Sequence, residues 1–175
     1  VISQYLAVSK WVLGELAAKV GDKKITHLYP LTTKSPCVSG PNEGGTLRLI
    51  FVSRLTNVDK EALRLIPFME TLAEIELKFS LDIYGDGPCR PEIQAYLDSL
   101  QLANASVTMH GNQPQQLVEK AFSQGDVFVS LAGKEGFGMA IAEAMSARMA
   151  PLVMRFDGGI CELLQDGEDS ILVEQ

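Results

Sequence analysis

The sequence is poor in the residues on which several kinds of chemistry depend. Its three cysteines, Cys37, Cys89 and Cys161, are odd in number, far apart and without a C-x-x-C pair. That pattern argues against a disulfide framework and against a zinc site, and it suits a reducing compartment. Histidine occurs only at His27 and His110. Neither is flanked by acidic, serine or cysteine partners, so both are expected to be structural and no metal site is expected. No apolar run approaches the ~20 residues of a membrane span. The first residues, Val-Ile-Ser-Gln-Tyr-Leu, lack the basic and long apolar regions of a secretory leader, which points to the cytoplasm. Cationic residues are outnumbered, 15 Lys and Arg against 22 Asp and Glu, for a net charge of −7. A nucleic-acid partner would want a basic face and is therefore not expected. An anionic small ligand remains compatible, because a few placed cations and a helix terminus can hold a diphosphate on an acidic protein.

What is present is an apolar core divided into regular pieces. With 175 residues and 46% hydrophobic content, the chain suits a single domain. A helix is expected over 10–20 behind Ser9, a short strand over 24–29, and a loop over 30–45. The first strong strand covers 47–53 (Leu-Arg-Leu-Ile-Phe-Val-Ser) and is followed by a helix over 59–72. A strand over 79–84 ends in Gly85-Asp86-Gly87-Pro88 and leads to a helix over 90–100. The second half repeats the rhythm, with strands over 107–110, 126–130, 151–154 and 170–173. Helices fall over 114–122, after Glu135, and briefly near Ile160. Strands separated by single helices imply an α/β fold, a doubly wound, Rossmann-like parallel sheet with helices on both faces. Ligands of such sheets sit beyond the carboxyl ends of the strands. Four turns of interest lie there: Arg54 onward, Gly85–Gly87, His110–Asn112, and the turn at Glu135.

The most informative stretch is Glu135-Gly-Phe-Gly-Met-Ala-Ile-Ala-Glu-Ala-Met145. Gly136 and Gly138 bare the backbone where a helix begins, so its unpaired N–H groups can approach a ligand. A helix start of this kind attracts phosphate. Glu135 and Glu143 cannot hold phosphate, but they accept hydrogen bonds from hydroxyls. Phosphate at the turn and hydroxyls at the carboxylates describe a nucleotide-sugar. The plainer reading of the same residues is a loop tip followed by a solvated helix carboxylate. Position at the strand ends favours the first.

In order and spacing, these residues resemble the retaining glycosyltransferases of the GT-B fold, the group-1 family. The resemblance runs from about Leu47 to Val173. It is carried by Ser53-Arg54-Leu55, Ile83-Tyr-Gly-Asp-Gly-Pro88, His110-Gly111, Asp126-Val-Phe-Val-Ser130, Glu-Gly-Phe-Gly with seven residues between its two glutamates, and Asp157-Gly-Gly-Ile160. It implies that Arg54 and Lys60 grip the donor diphosphate and stabilise it as leaving group, and that Glu135 positions the donor sugar. The backbone of Gly136, Phe137 and Gly138 would face sugar and phosphate, Glu143 the ribose, and Gly111 and Asn112 the nucleobase. Gly85 and Gly87 would shape the neighbouring turn. The nucleotide-diphospho-sugar is then the substrate, with no separate cofactor. The acceptor would be a glycan or lipid-linked molecule held by a second domain. Residues 1–175 would form one nucleotide-sugar-binding domain, with 1–29 as a remnant of the passage between domains and the acceptor domain absent. The parent would work in the cytoplasm, with peripheral association at the inner face of the membrane compatible with such acceptors, and the fragment alone would be inactive.

Three departures from the family pattern stand out. Lys60 follows Arg54 by six residues where five is common, two extra residues fall within 131–134, and Arg148 stands where glycine is usual. Two other readings stay open: a sugar-nucleotide epimerase of the same fold, and a non-catalytic binding or assembly module.

Overall fold

The computed structural model describes residues 4–21, 24–30, 45–75 and 77–174. Most of the expected 30–45 loop, including Cys37, lies outside them. Six parallel strands form the main sheet: β3 (Leu47–Val52), β4 (Phe79–Tyr84), β5 (Ala105–Gly111), β6 (Val127–Ser130), β7 (Ala150–Met154) and β8 (Ile171–Val173), in the order β5-β4-β3-β6-β7-β8. Side chains of β3 alternate between two cores. Leu49 and Phe51 pack with Leu65, Met69 and Leu72 of α2 (Leu65–Glu74) and Ile93 of α3 (Arg90–Ser99). Ile50 packs on the other face with Phe122 of α4 (Gln115–Phe122) and with Ile141 and Ala144 of α5 (Met139–Ser146). This two-sided burial explains why Leu49-Ile-Phe-Val52 reads as a continuous apolar run and not as an alternation.

The chain builds outward from β3 to β5 and then returns to lay β6 on the other side of β3. The strand order therefore reverses between β3 and β6. At such a point the connections leave in opposite directions and open a crevice beyond the carboxyl ends.

Several expectations are corrected. The helix predicted over 59–72 does not start at residue 59: a 3₁₀ turn covers Ala62–Arg64, and the α-helix covers Leu65–Glu74. Pro67 gives the reason. A proline cannot donate the intrahelical hydrogen bond, so it belongs in a first turn. The short helix near Ile160 is a 3₁₀ turn, Gly159–Glu162.

An unexpected strand, β1 (Gln4–Ala7), pairs in parallel with β2 (Lys24–His27) across α1 (Lys10–Val20), forming a separate two-stranded sheet. Its apolar run, Tyr5-Leu6-Ala7, is too short for the sequence to announce a strand. The start of α1 is tied to the main unit. The Glu162 carboxylate accepts from the backbone N–H groups of Lys10 (3.0 Å) and Trp11 (2.9 Å) and from the Tyr29 hydroxyl (2.9 Å). Ser9 Oγ takes the N–H of Val12 at 3.1 Å. Three N–H groups that a helix start leaves without intrahelical partners are thus satisfied.

Candidate functional site

Beyond β3, Ser53-Arg54-Leu55 is fixed by the turn that follows β4. The N–H of Leu55 donates to the Asp86 carbonyl at 2.9 Å, and the N–H of Cys89 donates to the Leu55 carbonyl at 2.9 Å. Gly85 has φ 128°, and a Cβ there would overlap the Ser53 carbonyl. Only glycine lets the two backbones approach so closely. Arg54 projects from this braced segment with its side chain 68% exposed and pairs with Asp59 at 2.5 Å. Asp59 also accepts from the Thr56 hydroxyl at 2.7 Å. That hydrogen bond, helped by the charges of Arg54 and Lys60 and opposed by partial burial, holds Asp59 below the ordinary carboxylate range.

The chain then turns sharply. Glu61 is left-handed, with φ 47°, and pairs with Arg64. Its carboxylate covers the Cα of Gly133, where any side chain would collide with it. Lys60 reaches across the crevice from this turn, and its Nζ donates to Glu135 Oε1 at 2.5 Å. The two side chains are only 13% and 22% exposed. Two residues 75 positions apart, each singled out in the sequence, therefore meet at the switch point between β3 and β6.

Past Glu135, Gly136 is exposed and Gly138, with φ 95°, stands at the N-cap of α5. Phe137 turns its ring into the core beside Tyr29, with centroids 5.9 Å apart, and its carbonyl accepts from the Ile160 N–H at 2.5 Å. Its side chain is thus an anchor, and only its backbone is left for a ligand. Glu143 lies on α5. Burial, and secondarily the nearby Glu119, push its carboxyl above the usual range. Among the described residues, none donates a hydrogen bond to that carboxylate.

Gly111, with φ 69°, accepts from the Gly85 N–H at 2.8 Å, and Asn112 beside it is exposed. His110 has a structural setting. It bonds Asp82 through Nε2 at 2.6 Å and stacks on Tyr84 with centroids 4.5 Å apart. Arg148 takes the left-handed conformation, φ 68°, that closes α5, a position where glycine avoids strain.

The crevice between β3 and β6 holds a cavity of only about 20 Å³, lined by Ser53, Ser130, Glu135 and Gly138 among others. A larger cavity, about 420 Å³, opens on another side of Glu135. Its walls include Trp11, Lys134, Arg155, Phe156 and Asp157. Of the expected site residues, this cavity contains Glu135 alone. Trp11, Lys134 and Arg155 were not among the sequence candidates. They come from segments whose proximity depends on folding, and the sequence marks Trp11 only as one position of a helix. No group of three or more potential metal ligands occurs among the described residues, and no described helix is long and apolar enough to cross a membrane.

Residues 39–175 match the family described as Glycosyl transferases group 1. The chain belongs to that family. It is 26% identical over 145 residues to lipopolysaccharide 1,6-galactosyltransferase of Escherichia coli (strain K12), an alignment covering 81% of this chain and 40% of that protein. The apo structure of the lipopolysaccharide outer core galactosyltransferase WaaB superimposes with a TM-score of 0.77 at 23% identity, over 98% of this chain and 48% of that one. HepE from Anabaena, solved in complex with UDP-glucose, gives a TM-score of 0.79 at 19% identity, over 98% and 50%. The group-1 chain described here thus spans about half the length of these relatives or less, and its six-stranded unit is a Rossmann-like half of a GT-B fold.

Proposed function

We propose that this chain is the donor-binding unit of a retaining glycosyltransferase that uses a nucleotide-diphospho-sugar. The observation that carries the reading is the meeting of Lys60 and Glu135 at the switch point. A cation for phosphate and a carboxylate for sugar hydroxyls lie side by side where a doubly wound sheet takes its ligand. Arg54 and Lys60 each hold a carboxylate and would exchange it for diphosphate oxygens. Glu135 would then be freed to accept from the sugar. The half-buried, underprotected carboxylate of Glu143 would gain donors from the ribose, and the nucleobase would lie at Gly111 and Asn112. The UDP-glucose complex of HepE supports a donor of this class.

In the reaction, the bond from C1 of the sugar to the diphosphate breaks with its electron pair leaving on phosphate. Arg54, Lys60 and the amides at Gly136–Gly138 favour that developing charge. The acceptor hydroxyl oxygen bonds C1 and releases its proton, for which the departing phosphate oxygen is an acceptor. Retention of configuration rests on the family resemblance. The acceptor, a glycan or lipid-linked molecule, would be bound mainly by a second domain of a longer parent acting in the cytoplasm or at the inner membrane face. Alone, this chain would bind donor weakly without transferring sugar. Calorimetric titration with UDP, GDP and ADP tests the reading. Saturable binding of at least one is expected, and binding of none would overturn it, as would sugar transfer by the chain alone for the claim of inactivity.

A further inference from the structure

Trp11, the single tryptophan of the sequence, lies in the first turn of α1. Its N–H is bonded to Glu162 at 2.9 Å. Gly158, with φ 82°, presses its bare Cα against the Trp11 side chain, where a Cβ would overlap Trp11 Cβ. That contact accounts for a glycine of the Asp157-Gly158-Gly159 motif to which the donor reading gives no role. The indole nevertheless stays 40% exposed and lines the 420 Å³ cavity that it shares with Glu135. An aromatic side chain braced at its base by Gly158 and open to a cavity offers a stacking surface.

The rest of the wall narrows the ligand class. Glu135 and Asp157 offer acceptors, Lys134 and Arg155 offer donors, and Arg155 also pairs with Glu174 at 2.7 Å. Carboxylates and cations are interspersed, so a phosphate gains no net field there. An apolar ligand would leave these charged groups desolvated without partners. A ring with one C–H face and a rim of hydroxyls, each both donor and acceptor, satisfies all of them. We infer that Trp11 is the platform on which a pyranose ring stacks in this cavity. The inference rests on the glycosyltransferase reading for its sugar chemistry, and the ring belongs either to the donor or to the acceptor.

Because Trp11 is the only tryptophan, its emission reports the event directly. The 175-residue chain is titrated with UDP, with UDP-glucose, UDP-galactose and UDP-N-acetylglucosamine, and with the methyl glycosides of the same three sugars. A saturable emission change with a UDP-sugar but not with UDP supports a donor ring on Trp11; a change with a methyl glycoside supports an acceptor ring. Trp11→Phe should keep affinity for the responding sugar within a few-fold, whereas Trp11→Ala should lose about tenfold in calorimetry. Melting curves check that both variants fold, and the wild-type emission and the Phe variant decide the matter if the Ala variant does not. Emission unchanged across the panel, with UDP binding intact, overturns the platform and leaves the donor reading standing. A glycoside response without UDP binding does the reverse.

Discussion

Lys60→Met tests the centre of the site, because it removes a cation while keeping an unbranched apolar stem. In the folded chain the Lys60–Glu135 bond is 2.5 Å long, with the side chains 13% and 22% exposed. Removing one partner leaves a mostly enclosed carboxylate with less compensation. For fully buried pairs that costs roughly 3–5 kcal/mol. Glu135 keeps some access to water, so about 1–3 kcal/mol is expected. For a chain of this size, that corresponds to a fall in Tm of roughly 2–12 °C. Glu135→Gln should cost less, since the amide can still accept from Lys60. In the double variant no charge remains to be stranded, so the two losses should not add, and a coupling of about 1–2 kcal/mol should appear in urea melts of the four species. Saturating UDP provides the decisive comparison. If phosphate draws Lys60 away from Glu135, coupling measured with UDP should shrink toward zero. Strictly additive losses without ligand would refute the pair as an energetic unit. Undiminished coupling with UDP bound would refute Lys60 as a phosphate ligand.

Arg54→Ala should weaken nucleoside diphosphate binding by about 1.5 kcal/mol, the low end for a charge-assisted contact because the side chain is largely exposed, while leaving nucleoside binding unchanged; equal losses by calorimetry would remove Arg54 from the phosphates. Glu143→Gln should weaken nucleoside, nucleoside diphosphate and nucleotide-sugar alike by about 1 kcal/mol, since ribose is common to all three. The raised carboxyl of Glu143 also fixes a pH dependence. A carboxyl raised by folding favours the native state below its unfolded value and loses that benefit as pH rises through its folded value. Glu143→Gln should therefore raise Tm slightly at neutral pH, with the gain fading toward pH 4, and a uniform gain at all pH would contradict the cause assigned here. Arg148→Gly should relieve the left-handed strain at the end of α5 and stabilise by up to about 1 kcal/mol in urea melts; destabilisation would mean that the arginine side chain contributes more than its backbone strain costs.

Apolar runs separated by single helical patterns were enough to imply the alternation of elements, and through it the parallel sheet. β3 is apolar on both faces because both faces are covered, and glycines mark the turns where β4, β5 and β6 release the chain. Glu135 stood out as a hydroxyl acceptor next to a bare helix start, whereas Lys60 was marked only by the resemblance to the group-1 family. How those residues meet followed from the packing of the sheet. Strand order places β3 beside β6, and the left-handed Glu61 turn after β3 carries Lys60 over the crevice. Pro67 was visible as a proline, but its effect on where α2 begins depended on the 3₁₀ turn ahead of it. Trp11 was the least legible. Its role follows from Glu162 and Gly158, roughly 150 residues away along the chain, whose contacts with α1 no local pattern announces. Local pattern sets which groups a chain can offer, whereas long-range packing sets which of them face one another.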